Sequence, residues 1–110
     1  MSRVEAQLAD RPTISWVNLV EVYYRVERDH GRVAADDTLR DLRARLTADL
    51  PGTARMIEAA RIKARAPIAL TDCFAIATAT ALNATLLTGD PEIIELDACP
   101  CDVEDLRPAR

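Results

Sequence analysis

The chain has 110 residues, a formal net charge of −4, a hydrophobic fraction of 49% and only three glycines. That length supports one domain with a modest core, and the apolar content excludes a disordered or low-complexity chain. The acidic balance argues against a general nucleic-acid coat, and no apolar run approaches a membrane span, so a soluble, cytoplasmic single domain over residues 1–110 is expected.

Residues 2–9 carry Val4 and Leu8 at helical spacing and read as the last turns of a helix, broken by Asp10-Arg11-Pro12. TISWV, rich in β-branched and aromatic residues, predicts a buried strand. A helix is expected from about Leu19, with Leu19, Val22, Tyr23 and Val26 on one side and Gly31 as its stop. Asn18, with Glu21 three residues later, fits a capping box. Asp36 or Asp37 can cap the next helix, where Leu39, Leu42, Leu46 and Leu50 recur at three- and four-residue steps. Core packing is the plain reading of that stripe. The end of this segment, RLTADLP, can leave the helix as a short extended edge, and Pro51-Gly52 breaks the chain.

Thr53 is a plausible cap for a helix over TARMIEAARIKA, which Pro67 ends. IALTDCFAIATATALN reads as a buried Ala-rich helix, with Asp72 or Thr71 as its cap and Asn83 as a left-handed C-terminal residue. Thr85 to Thr88 follow as a strand, PEIIEL as a short helix and CDVEDL as a last strand. Strands alternating with helices imply a parallel sheet with helical crossovers.

The remaining chemistry is sparse. Cys73, in an apolar helical run, reads as a small buried hydrophobe. Cys99 and Cys101 are too closely spaced for a zinc pair and lack a second Cys or His pair to complete a site. His30, the single histidine, sits beside a turn and reads as a surface residue. Basic residues crowd positions 25–65 and acidic residues dominate from Asp90 onward. Most of those arginines read as solvated helix surface, although an Arg-rich helical face could hold phosphates.

Three acids occupy the same kind of place. Glu21 lies just inside a helix that follows a strand, Asp72 opens the buried helix, and Asp90 comes just after a strand. In an open parallel sheet, strand C-termini and the helix N-termini that follow them share one rim, where ligands bind. Each acid has a structural alternative as a helix cap, worth about 1 kcal/mol. Asp90 before Pro91 is a cap followed by the favoured first-turn proline. Three acids on one rim repel one another unless a cation neutralises them, and hard oxygen ligands select Mg²⁺ or Mn²⁺. With one histidine and no GxxxxGK[ST] loop, metal-assisted hydrolysis of a phosphodiester is the chemistry on offer.

The segments ISWVNLVEVYYRV, EAARIKARAPIALTDCFAIATATALNATLLTGDPEI and VEDL, in that order, resemble the PIN-domain family. Within it they look like the VapC-type toxin ribonucleases of bacterial toxin–antitoxin pairs. The resemblance implies an α/β, PIN-like three-layer sandwich around a central parallel sheet. It also implies an RNA substrate, a Mg²⁺ or Mn²⁺ cofactor, a cognate antitoxin and a homodimer. By this resemblance Glu21, Asp72 and Asp90 are the catalytic, metal-holding acids, and Asn18 and Thr88 support them. Thr88 Oγ would orient a carboxylate or a metal-bound water. The family's first strand, which ends in an Asp, has no counterpart here, so an N-terminally truncated domain is expected. A truncated domain admits a second function, that of a weak or inactive remnant serving as a protein-binding or dimerisation module.

Overall fold

Ser15 sets the start of the first helix. Strand β1 is Thr13–Ser15 and helix α1 is Trp16–His30. The Ser15 backbone is extended, and its buried Oγ accepts the Val17 N–H at 3.2 Å. The helix therefore begins earlier than Leu19. Asn18 lies inside it, so Asn18 is not its cap and the capping-box reading with Glu21 is corrected. A local hydroxyl cap outweighs the strand propensity of Trp16 and Val17.

The computed structural model describes residues 12–88, 90–96 and 99–107, and the helix expected over residues 2–9 lies outside them. The chain divides into two compact units between Leu50 and Pro51. In the first unit, α1 stops at Gly31, whose N–H bonds to the Glu27 carbonyl. Helix α2, Arg32–Arg45, follows at once. Gly31 has φ 92° and ψ 170°, a region essentially reserved for glycine, and a Cβ there would meet nothing within 4 Å. Gly31→Ala is thus expected to cost about 1–3 kcal/mol through backbone strain alone. Chemical denaturation measures this, with helix content of the folded state unchanged.

This immediate restart places Asp36 and Asp37 inside α2 rather than at its cap. Asp36 instead accepts a hydrogen bond from the Tyr23 hydroxyl at 2.7 Å, tying α2 to α1, and Asp37 pairs with Arg40 at 2.7 Å. The bond to Asp36 holds the Tyr23 phenol above its ordinary pKa, with desolvation adding to the rise. A raised folded pKa gives a contribution that is complete below the unfolded value of about 10 and is lost as pH rises through the folded one. Stability should therefore fall at strongly alkaline pH. Tyr23→Phe should flatten that fall in denaturation curves taken across the range.

Helix α2 yields to extended backbone at Leu46, and β2, Thr47–Asp49, pairs in parallel with β1, Thr13 opposite Thr47 and Ser15 opposite Asp49. RLTADLP does form the expected extended edge. The leucine stripe divides accordingly: Leu39, Leu42 and Leu46 are half-buried, while Leu50 is 79% exposed. Leu19 and the small Ala35 are the buried apolar residues of this unit's described part. Arg43 also places its guanidinium 5.2 Å over the Trp16 ring.

The second unit is built around helix α4, Leu70–Ala81. It packs against α3, Thr53–Arg65. Thr53 is already helical and Gly52 precedes it without a side-chain cap, so Thr53 is not the cap. Likewise Ala69 occupies the cap position of α4, and Thr71 and Asp72 lie in its first turn. Cys73, Ile76 and Ala77 on α4 meet Ala59 and Ile62 of α3, together with Ile68 and Ile93, in one buried cluster. Alanines at this seam let the two backbones approach closely. Lys63 reaches past the end of α3 to donate to the Ile68 carbonyl at 2.6 Å. Asn83 adopts φ 51°, the left-handed turn expected after α4.

Strand β3, Leu86–Thr88, then pairs in parallel with β4, Val103–Asp105, with helix α5, Pro91–Ile94, in the connection. Leu86 stands opposite Val103 and Thr88 opposite Asp105. Among the described residues the strands form two separate two-stranded parallel sheets, one in each unit. The architecture is α/β with parallel pairing, as expected. None of the described helices is long and apolar enough to cross a membrane.

Candidate metal centre

Two hydrogen bonds hold Asp90 after β3. Thr88 Oγ accepts the Asp90 N–H at 3.0 Å. Asp90, with extended backbone, then caps α5 as its Oδ1 accepts the Glu92 N–H at 2.9 Å, and Pro91 fills the first helical position. The Thr88 hydroxyl oxygen thus positions Asp90 through the main chain, in addition to the role expected of it toward a carboxylate or a metal-bound water.

Asp72 comes to the same place from the first turn of α4. Carboxylate oxygens of Asp72, Asp90 and Glu92 all lie within 4.8 Å of one another. Asp72 and Asp90 are half-buried and Glu92 is exposed. The structure thus brings together two of the three acids singled out from sequence and adds Glu92. Its signal is the Asp-Pro-Glu spacing. A cap side chain bends back to the N–H two residues on, so both acids share one helix end.

Glu21 stands on α1 of the first unit, half-buried, with Oε2 3.7 Å from the Arg25 guanidinium one turn along. Asn18 lies one turn before Glu21 on the same helix. His30 is exposed at the end of α1. Cys73 follows Asp72 in sequence but is wholly buried. Burial pushes its thiol pKa up, and the Asp72 charge adds to this against the opposing effect of Lys63. Cys73 is packing, as expected, and not a thiolate ligand.

The donor set is three carboxylates, all hard oxygen ligands, which suits Mg²⁺ or Mn²⁺. A small cation with metal–oxygen distances of about 2.0–2.1 Å draws its ligand oxygens to within roughly 3–4 Å of one another. The cluster's oxygens, all within 4.8 Å of one another, are near enough to reach that range by side-chain rotation.

A family profile for the PIN domain matches residues 2–98. Among solved structures, the chain is similar to DNA-bound VapBC from Salmonella typhimurium, at 20% identity and a TM-score of 0.75, over 94% of this chain and 80% of that one. It is also similar to VapBC2 from Rickettsia felis bound to a DNA fragment from the promoter, at 19% identity and a TM-score of 0.75, over 94% of this chain and 82% of that one. At these identities the likeness is one of fold. No protein in a search of curated sequences matches. The profile match spans most of the chain and takes in Glu21 as well as the clustered Asp72, Asp90 and Glu92. The chain belongs to the PIN-domain family.

Proposed function

We propose that the chain is a single PIN domain acting in the cytoplasm as a metal-dependent endoribonuclease of a toxin–antitoxin pair. In this reading Asp72, Asp90 and Glu92 hold Mg²⁺ or Mn²⁺, and Glu21 completes the set of catalytic acids. The observation that carries it is the convergence of three carboxylates from two separate elements, in a family whose members are generally nucleases.

When bound, the cation supplies a more acidic water and offsets the charge that builds on the scissile phosphate. The protein's own part is placement. Thr88 and the α5 cap fix the Asp90 main chain, and with Oδ1 on the Glu92 N–H, Asp90 keeps its other oxygen for a ligand. Asp72 is carried by a helix whose next residue, Cys73, is locked into the core, so its position follows the rigid part of the second unit. Exposed arginines such as Arg45 on α2 and Arg61 on α3 suit RNA phosphates.

A cognate antitoxin and a homodimer are the partners proposed. The similar solved structures are VapBC complexes. Exposed apolar side chains are also available for contact, Val20 and Tyr24 one turn apart on α1 and Met56 and Ile57 on α3.

The test is incubation of the full chain with end-labelled single-stranded RNA, with Mg²⁺, with Mn²⁺ and with a chelator. Cleavage with either metal, abolished by the chelator, is expected. No cleavage with either metal contradicts the reading. If such a chain still captured a partner, it would instead be a binding module.

A further inference from the structure

Cys99 and Cys101 flank Pro100 in the segment between α5 and β4. Their Sγ atoms are 3.8 Å apart, in a thiol–thiol hydrogen bond. Both are free and half-buried, and both pack on the same core cluster. A disulfide needs about 2.05 Å between sulfurs, so side-chain rotation has only a short gap to close. The intervening proline limits the backbone freedom that would otherwise separate the two side chains.

We propose that Cys99 and Cys101 form a dithiol that a small-molecule disulfide, such as oxidised glutathione, converts reversibly to an intramolecular disulfide. The inference is independent of the nuclease reading. Burial first, and then the charge of Cys99, pushes the Cys101 thiol up to about 12, so Cys101 is a poor first nucleophile. Cys99 is the entry point. Its thiolate attacks one sulfur of the small disulfide, whose S–S bond breaks and releases one thiolate. In the resulting mixed disulfide Cys99 carries no charge and its sulfur is a weaker acceptor for the Cys101 S–H, which weakens two of the causes that hold the Cys101 proton. Cys101 then gives its proton to solvent and attacks Cys99 Sγ, forming the internal bond and expelling the second thiolate. The pair loses two electrons and two protons, and the small disulfide becomes two thiols. The closed loop is very short, so the bond stabilises the fold little and stays easy to reduce.

The test treats the folded full chain with millimolar oxidised glutathione, then blocks free thiols with iodoacetamide under denaturing conditions. Cleavage before Asp97 and Asp102 releases one peptide that carries both cysteines and not Cys73. In most molecules that peptide should be unalkylated and two hydrogens lighter than its reduced form. Dithiothreitol should return it to the doubly alkylated species. Cys101→Ser should stop at a stable glutathione adduct on Cys99. Recovery of both wild-type cysteines alkylated would overturn the proposal, as would a lasting glutathione adduct on either of them.

Discussion

Asp90→Asn is expected to lower metal-dependent RNA cleavage by at least about 100-fold while leaving the fold intact. The substitution separates the two readings of this residue. Asparagine caps a helix about as well as aspartate, so the bond to the Glu92 N–H survives. What is lost is the negative charge on the remaining oxygen, which a Mg²⁺ site needs. Asp72→Asn should have a comparable effect on cleavage. In the first turn of α4 the Asp72 charge also interacts favourably with the helix dipole, worth about 0.3–1 kcal/mol of stability. Initial cleavage rates measured beside thermal unfolding curves check both. If Asp90 were a cap alone, Asp90→Asn would cleave RNA at the wild-type rate.

The second large effect concerns the core. Ile76 on α4 is fully buried among Ala59, Ile62, Cys73 and Ile93. Ile76→Ala should cost about 2–5 kcal/mol, combining lost transfer energy with a cavity that rigid neighbours fill poorly. Against a typical total of about 5–15 kcal/mol, that is a large share of the stability. Leu50 is an equally apolar residue but is 79% exposed, so Leu50→Ala should stay within about 0.5 kcal/mol of wild type. Urea denaturation of the two variants measures the difference. Equal costs would mean that the leucine stripe continues through Leu50 into a core.

Element order is legible in the sequence because breakers and periodicity act locally. Gly31, Asn83 and Pro91 sit where their backbone preferences demand, and the apolar run around Ile76 can only be buried. Helix starts are less legible. Ser15, Asn18, Asp36, Asp37 and Thr53 are all competent caps by residue type, and only Ser15 is used. The choice depends on where the preceding backbone leaves its helix or strand. At Gly31 a positive φ lets one helix follow another, with this one glycine as the cap of both and no side-chain cap between them.

The acid cluster shows the same division. Asp72 and Asp90 stand out in sequence because each opens a helix beside a strand or a buried segment. Glu92, an exposed acid in a first turn, has a complete explanation as solvated surface. Only the bend of the Asp90 cap brings Glu92 within 4.8 Å of Asp72. The role of Thr88 is hidden for a similar reason, since its partner is a main-chain N–H that any residue at position 90 other than proline would supply.

The most direct test of the acid cluster as a divalent-cation site is titration of Mn²⁺ into the full chain, following the electron paramagnetic resonance signal of the free aquo ion. A saturable site in the wild-type chain that is lost in both Asp72→Asn and Asp90→Asn, with folding unchanged, is the predicted result. Equal Mn²⁺ uptake by all three proteins, or none by the wild type, would contradict it.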